Sequence, residues 1–371
     1  MERSDQGSAS KEFYFQWHIT DRCNLRCSHC YQENYRSQDE MSIDSLKIIA
    51  DKLIFALDKW DREGRIALTG GEPLLKKELF PLLNYLQESE QLRKISVLSN
   101  GTLLTKEIVK HLHSLKKLHF VQISLDGAYP KTNDAIRGKS SFEKAITGIR
   151  LLQENEIKVR IMFTLHKGNA GEIPSLIDLA LEEKIDALTI ERLVPCGSGR
   201  RLKDQILSPE ELRDVFRYIL EREDQEHKSG NLLTILKLRT LWASLNPNRA
   251  KEENNIPASM QLGAACSIGV DSLTILPDGT VLPCRRLNIP IGNLKTDSLF
   301  KIWYTSRLLW KIRDKRNLKG KCKDCELIPR CGGCRAMAYA LTGDYLEEDP
   351  QCWKKAIQVS GELLTNMCST S

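Results

Sequence analysis

The chain has 371 residues, 41% of them hydrophobic, which is enough for about two domains or for one barrel with an appendage. Its 55 basic and 49 acidic residues give a formal net charge of +6, an excess too small to indicate a nucleic-acid or membrane partner without a concentrated basic patch. No run of 18 apolar residues occurs, and the N-terminus lacks the apolar core of a secretion signal, so we expect a cytoplasmic protein.

The first predicted strand, residues 13–20, leads into a loop that carries Cys23, Cys27 and Cys30. In a reducing compartment, clustered cysteines indicate metal binding before disulfides. The C-x3-C-x2-C spacing lets three thiolates hold three corners of one iron–sulfur cube, and because a cubane has four irons, one iron would lack a protein ligand. A zinc knuckle or a closed ferredoxin-type cluster is the alternative, and either needs a fourth ligand such as His18.

A second motif, Gly70, Gly71 and Glu72 followed by Pro73, comes directly after a short apolar run. Two glycines let the backbone approach a ligand closely, and a neighbouring carboxylate can hold an ammonium group. The motif therefore predicts a binding site for a small molecule that carries an amine.

The elements between residues 43 and 193 alternate between helical and strand patterns. Strands are predicted at residues 66–68, 95–98, 120–125, 159–165 and 187–193, and helices at residues 43–57, 80–86, 105–115, 142–153 and 174–182. Six strands alternating with helices predict an α/β fold, a partial (β/α)6 TIM-like barrel with a parallel sheet. In such barrels functional residues collect at the C-terminal ends of the strands, where both motifs, Ser99, Asn100, Ser124 and Asp126 fall.

After the barrel, residues 194–207 predict a loop, and a helix begins with Ser208 as N-cap, Pro209 at the first position and Glu211 closing a capping box. A further helix is predicted at residues 232–245 and a linker at residues 246–265. The predicted domains are the barrel core at 13–207, bridging helices and linker at 208–265, a cysteine-rich extension at 266–354 and a C-terminal helix or tail at 355–371.

The extension holds seven of the twelve cysteines. Cys266 precedes a hairpin with a turn at residues 277–279, and the hairpin returns to Cys284. The other five are Cys322, Cys325, Cys331, Cys334 and Cys352. Two structural zinc sites are the alternative to iron–sulfur clusters, and spacing alone does not separate them.

A C-x3-C-x2-C loop followed by Gly-Gly-Glu-Pro resembles the radical S-adenosylmethionine (SAM) superfamily. The C-terminal cysteine order resembles the SPASM domain, an extension of such enzymes that holds two auxiliary iron–sulfur clusters. That family typically has three residues between the cysteines at the end of its central run, whereas only two separate Cys331 from Cys334.

The resemblance implies three clusters, each expected to be [4Fe-4S]. Cys23, Cys27 and Cys30 would hold the SAM-binding cluster, and the auxiliary sets would be Cys322, Cys325, Cys331 and Cys352, and Cys266, Cys284 and Cys334. The last set has only three members, so either another side chain completes it or its open iron binds a substrate thiolate, water or a carboxylate. Cys196 is a ligand, a substrate-facing thiol or a buried filler, and Cys368 is expected to be inert.

By the same resemblance, Gly70, Gly71 and Glu72 would cradle the ammonium of SAM. Ser124 would reach its ribose or carboxylate, and Arg137 would pair with the carboxylate. His29 would contact the adenine, with simple packing as the alternative. No catalytic residue is assigned beyond the cluster ligands.

The implied activity is reductive cleavage of SAM to a 5′-deoxyadenosyl radical, which abstracts a substrate hydrogen, with flavodoxin or ferredoxin as electron donor. Modification of a ribosomal peptide, as a thioether, a carbon–carbon crosslink or an oxidation, is the first expectation. Only about a dozen residues precede the first strand, so a leader-peptide-binding domain would have to be a separate protein.

Two further functions stay open. The run from Cys331 to Arg335, the later Thr342, Gly343 and Asp344, and the run from Asp349 to Cys352 also resemble two other groups of enzymes. These are the pyrroloquinoline quinone (PQQ) maturases and the enzymes that modify tetrapyrrole side chains in haem d1 and alternative haem synthesis, so a small biosynthetic intermediate is the second substrate class. A non-catalytic electron-transfer protein with three clusters is the alternative of another kind, but it would not need the glycine motif.

Overall fold

A computed structural model describes residues 12–36, 40–231, 233–236, 241–245, 266–328 and 331–354. Ten strands form one sheet within these residues, in the order β10-β9-β8-β1-β2-β3-β4-β5-β6-β7. In the part of the chain so described, no helix is long and apolar enough to cross a membrane.

Seven parallel strands form the barrel part of the sheet, and each of the first six lies within three residues of its predicted position. They are β1 (Glu12–His18), β2 (Glu63–Thr69), β3 (Leu92–Ser99), β4 (Leu118–Ser124), β5 (Val159–Leu165), β6 (Ala187–Arg192) and β7 (Thr234–Leu236). Neighbours in sequence are neighbours in space, as right-handed β-α-β units require. The predicted partial barrel is confirmed.

The helices pack their apolar faces onto this sheet. They are α1 (Ile43–Lys59), α2 (Leu79–Gln87), α3 (Lys106–His113), α4 (Pro130–Arg137), α5 (Ser141–Glu154), α6 (Ile173–Glu182) and α7 (Pro209–Lys228). The side chains of Phe13, Phe15 and Trp17 alternate along β1 and are fully buried. The hydrophobic core therefore packs against β1, the strand that leads into the cysteine loop.

The cysteine-rich extension joins the same sheet. The predicted hairpin forms from β8 (Ser272–Ile275) and β9 (Thr280–Leu282), and β10 (Gly292–Asn293) pairs with β9. Because β8 pairs in parallel with β1, the extension continues the barrel sheet beside the strand that ends at the cysteine loop. Helices α8 (Leu299–Thr305), α9 (Arg307–Arg313) and α10 (Arg335–Thr342) follow.

Two predicted segments between barrel and extension are wrong in the described residues. Instead of a helix at residues 232–245, β7 pairs with β6, and a short 3-10 turn covers Trp242–Ser244. Instead of an irregular loop at residues 194–207, a 3-10 segment covers Gly197–Gln205. The linker at 246–265 and the tail at 355–371 with Cys368 lie outside the described residues.

The predicted start of α7 is confirmed in detail. The Ser208 side chain accepts from Glu211 N, the Glu211 side chain accepts from Ser208 N, and Pro209 occupies the first turn. These contacts satisfy backbone donors that the first turn of a helix leaves without partners.

Candidate cluster and cofactor site

The loop between β1 and α1 presents Cys23, Cys27 and Cys30 as free, half-buried thiols. Burial raises the pKa of the Cys27 thiol to about 11, although Arg137, whose Nη1 lies 3.8 Å from Cys27 Sγ, opposes the rise. Such a thiol stays protonated until a metal displaces its proton, because coordination deprotonates a cysteine. Three clustered thiols on one loop fit the ligand set of an iron–sulfur cluster.

The two glycines of the second motif let the end of β2 lie against the backbone that precedes the cysteine loop. Gly71 N donates to Thr20 O at 2.8 Å, and Glu72 N donates to Arg22 O at 2.8 Å. A Cβ atom on Gly71 would lie 2.3 Å from Arg22 O, and one on Gly70 would lie 2.3 Å from Thr20 O. Close backbone approach therefore requires both glycines, independently of their predicted contact with SAM.

Replacing Gly71 by alanine is expected to lower the free energy of unfolding by about 1–3 kcal/mol, because the new methyl group must displace a backbone carbonyl. Gly171→Ala is the matched control, since a Cβ atom there meets nothing within 4 Å. Thermal unfolding of both reconstituted variants measures the difference. Equal midpoints would contradict the packing argument.

The Glu72 carboxylate is fully buried and already engaged on both oxygens. Oε1 accepts from Ser99 Oγ at 2.8 Å and from Leu74 N at 3.2 Å, and Oε2 accepts from Asn100 N at 2.8 Å. Glu72 thus ties the second motif to the end of β3. An ammonium at this carboxylate would share it with three donors, so that contact stays a prediction.

Burial raises the pKa of Glu72 to about 7, from an ordinary value of 4.5. Between pH 4.5 and about pH 7, the Glu72 side chain of the folded chain holds a proton that it has lost in the unfolded chain. The contribution of Glu72 to the free energy of unfolding should therefore fall as pH rises. The loss is on the order of 3 kcal/mol between about pH 4.5 and pH 7, with no further change above. The free energy of unfolding, measured with urea at about pH 5 and pH 8, should fall with pH in the wild type and not in Glu72→Gln. An equal fall in both proteins would contradict this prediction.

Asp126, just beyond β4, is the central acid of the site, although sequence patterns assign it no role. Its Oδ2 accepts from Arg137 Nη2 at 2.6 Å and contacts His29 Nε2, and its Oδ1 accepts from Thr164 N at 2.7 Å. Burial alone would raise the Asp126 pKa, but Arg137 and His29 outweigh burial and hold it well below its usual range. The structure thus brings His29 and Arg137 together at Asp126, with Ser124 half-buried at the end of β4.

Several side chains on or near the cysteine loop carry buried polar atoms without a hydrogen-bond partner among the described residues, and Arg22 Nε, Gln32 Oε1 and Arg137 Nε are among them. Three more are His18 Nε2 at the end of β1, His166 Nε2 after β5 and Arg285 Nε after Cys284. His166 Nδ1 accepts from Gly168 N at 3.1 Å, which leaves the proton of the neutral ring on Nε2. No local pattern marks His166 or Arg285, because their neighbours are distant in the chain.

The seven cysteines of the extension line two separate cavities, divided as the resemblance implies. One cavity is lined by Cys322, Cys325, Cys331 and Cys352, and the other by Cys266, Cys284 and Cys334. Among the described residues, no three histidine, cysteine or carboxylate side chains are gathered closely enough to hold a single metal ion. Each lining also includes one carboxylate, Asp349 or Glu191, and each of these is paired with an arginine. The thiols of the two linings fit two auxiliary iron–sulfur clusters.

A buried ion pair ties the barrel to the extension. Arg192, at the end of β6, donates to both oxygens of Asp349, at 3.1 and 2.8 Å, and Asp349 Oδ2 also accepts from Cys334 N at 2.8 Å. Such bidentate pairs fix geometry as well as charge. The pair therefore fixes the backbone of Cys334, a predicted cluster ligand, relative to the end of β6.

Cys196 lies beside the cavity of the three-cysteine set. It packs against the same small apolar cluster as Cys266, Cys284 and Cys334. Burial raises the pKa of its thiol to about 11. The cavity lining also includes Glu191, so the neighbourhood offers one thiol and one carboxylate that sequence spacing did not assign.

Two protein families match the chain. The Radical SAM superfamily matches residues 17–180, and the SPASM family, described as an iron–sulfur cluster-binding domain, matches residues 266–326.

Several curated relatives match over nearly the whole chain. An AdoMet-dependent heme synthase of Methanosarcina barkeri is 31% identical over 91% of this chain and 95% of its own length. An Fe-coproporphyrin III synthase of the same organism is 32% identical over 94% of this chain and 89% of its own length. The antilisterial bacteriocin subtilosin biosynthesis protein AlbA of Bacillus subtilis is 28% identical over 88% of this chain and 69% of its own length. The two Methanosarcina barkeri relatives are named as synthases, so the enzyme prediction is confirmed and the electron-transfer alternative is not supported.

Solved structures show the same fold. Streptococcus suis SuiB bound to precursor peptide SuiA has a TM-score of 0.74 and 20% identity, covering 92% of this chain and 76% of that chain. The structure described as native anSMEcpe with bound AdoMet and a Cp18Cys peptide has a TM-score of 0.73 and 19% identity. The match covers 92% of this chain and 94% of that chain. At this identity the likeness concerns the fold alone.

Proposed function

The chain belongs to the radical SAM superfamily and carries a SPASM iron–sulfur cluster-binding domain, and we propose that within this family it modifies a carboxylate-bearing side chain of an iron tetrapyrrole. When bound, the [4Fe-4S] cluster and SAM supply a 5′-deoxyadenosyl radical that removes a substrate hydrogen atom. The residues of the chain hold the cofactors, orient the substrate and exclude water.

Relatives that span nearly the whole chain support this substrate class. The two Methanosarcina barkeri enzymes, named for heme and Fe-coproporphyrin III, are at least 31% identical over more than 90% of this chain. Peptide modification, the first expectation from sequence, has weaker support, because AlbA is less similar and is matched over a smaller share of its length. Tetrapyrrole modification therefore replaces peptide modification as the preferred function.

The observation that carries the proposal is the electrostatic character of the site. Its buried acids are already paired: Glu72 with three donors, Asp126 with Arg137, and Glu191 with Arg286 at 2.9 Å. Most of the unpartnered buried atoms that the structure describes around the cysteine loop are donor nitrogens, including those of His18, His166 and Arg285, and one is an acceptor, Gln32 Oε1. The site thus offers donors and positive charge, which suit an anionic substrate such as a porphyrin with carboxylate side chains.

The predicted ligand sets enter this proposal unchanged. Cys23, Cys27 and Cys30 would hold the SAM-binding cluster, and the two cavity linings would hold the auxiliary clusters. Cys196 and Glu191 are the candidates to complete the set of Cys266, Cys284 and Cys334. The contacts of Gly70, Gly71, Ser124, Arg137 and His29 with SAM, the external electron donor and the [4Fe-4S] type of the auxiliary clusters likewise remain proposals.

An anaerobic turnover assay tests the proposed function. Reconstituted enzyme is reduced with dithionite in the presence of SAM and either iron coproporphyrin III or a short cysteine-containing peptide. We expect porphyrin, and not peptide, to stimulate 5′-deoxyadenosine formation and to change in mass. Stimulation by the peptide alone, or by neither compound, would overturn the proposal.

A further inference from the structure

We propose that Arg285 and His18 form a carboxylate-binding subsite beside the SAM-cluster loop, which holds one acidic side chain of the substrate. This inference rests on the proposed tetrapyrrole function and adds the residues that recognise the substrate's charge. Three observations support it: the Arg285 guanidinium lies over Tyr31, it has no anionic partner among the described residues, and His18 lies against the same tyrosine.

The Arg285 guanidinium lies between the two cysteine regions. Arg285 follows Cys284, a predicted ligand of an auxiliary cluster, and its Cζ lies 4.4 Å from the ring centroid of Tyr31. Tyr31 in turn follows Cys30, a predicted ligand of the SAM-binding cluster. A substrate group held by Arg285 would therefore lie beside the loop where the hydrogen abstraction is expected.

The same guanidinium lacks an anionic partner among the described residues. The neighbouring Arg286 is paired with Glu191 at 2.9 Å, and Arg192 is paired with Asp349, whereas Arg285 Nε is buried without a hydrogen bond. A half-buried charge without a counter-ion loses solvation, and its contact with the Tyr31 ring returns only part of that loss. A bound carboxylate would supply the missing charge and could accept two parallel bonds from the planar guanidinium.

His18 supplies the second polar group of the subsite. Its side chain is 1% exposed, its Nε2 has no described partner, and its ring stands edge-on to Tyr31 with centroids 5.6 Å apart. Burial, with a smaller contribution from Arg285, lowers the pKa of His18 well below its usual value, so the ring is neutral. A neutral imidazole adds one hydrogen bond to a carboxylate without a second charge to desolvate.

The subsite uses residues other than the one predicted to pair with the carboxylate of SAM. That residue is Arg137, which is engaged by Asp126 beyond β4, whereas His18 ends β1 and Arg285 follows β9. The alternative role of Arg285 is purely structural, as a cation stacked on an aromatic ring. Arg160, whose Cζ lies 3.8 Å from the Phe120 centroid near the start of β5, shows that stacking elsewhere and offers a matched control.

The test measures equilibrium binding of porphyrins to the anaerobically reconstituted enzyme, followed by the shift of the Soret band. Free-base coproporphyrin III, with four carboxylates, is compared with its tetramethyl ester in the same mild detergent. Arg285→Gln is compared with Arg160→Gln, which makes the same change of charge at a distant stacked arginine. Iron content and SAM affinity are measured on each preparation.

We expect Arg285→Gln to bind coproporphyrin III about tenfold or more weakly than the wild type, with iron content and SAM affinity unchanged. Arg160→Gln should bind as the wild type does, and the wild type should prefer the acid over the ester. Equal binding of the porphyrin by Arg285→Gln, a matching loss of SAM affinity, or no preference for the acid would overturn this inference alone. A wild type that binds neither porphyrin would overturn the proposed function and the inference with it.

Discussion

Replacing Cys27 by alanine is expected to abolish formation of 5′-deoxyadenosine, because two thiolates do not hold a cluster for which the loop supplies only three. The iron content should fall by about four atoms per chain, the content of one cubane. Iron and sulfide analysis of the reconstituted variant, with chromatography of the products after dithionite reduction, measures both effects. Cys368→Ala, in the polar C-terminal tail, controls for loss of a cysteine as such.

A second cysteine variant shows that the effect belongs to the SAM-binding cluster. Cys325→Ala removes a thiol from the cavity that Cys322, Cys331 and Cys352 also line, and the three thiols that remain there can still hold a cluster with one open iron. Its remaining reduced clusters should still change their EPR spectrum when SAM is added, whereas those of Cys27→Ala should not. A SAM-dependent spectrum in Cys27→Ala, or a wild type that takes up only zinc, would refute the assignment.

Features decided by neighbouring residues could be predicted from the sequence. The capping box of Ser208 and Glu211 depends on atoms three residues apart, and the hairpin turn at residues 277–279 depends on the turn residues themselves. The division of the extension's cysteines into two sets came from the family resemblance and stays a prediction, although the same two groups line two cavities. The order of helices and strands in the barrel followed from apolar periodicity.

Features that depend on contacts between residues distant in the chain could not be predicted from the sequence. β7 is a strand because it pairs with β6, more than 40 residues earlier, and a helical pattern of leucines does not reveal that partner. Asp126 meets His29 across 97 positions, so no motif marks the two as a pair. The glycines at 70 and 71 were interpreted as contacts to a ligand, whereas their closest constraint is the backbone at residues 20–22.

Replacing Asp126 by alanine is expected to lower the free energy of unfolding by about 3–5 kcal/mol, the usual cost of leaving a buried charge without its partner. The Asp126 side chain is fully buried, and Arg137, 8% exposed, would lose the carboxylate that its Nη2 contacts at 2.6 Å. Thr164 N would also lose its acceptor. Because Arg137 also lies beside Cys27 Sγ, the variant should assemble less of the SAM-binding cluster.

Urea unfolding and iron content of Asp126→Ala measure both consequences, with Asp58→Ala as control because its ion pair with Lys59 is half-exposed and worth little. The double variant Asp126→Ala with Arg137→Met separates charge from packing. Removing the cation along with its acid should restore part of the lost stability, since an apolar pair of similar volume often replaces a buried ion pair at little cost. A double variant no more stable than Asp126→Ala would mean that the carboxylate acts mainly through Thr164 and His29 instead.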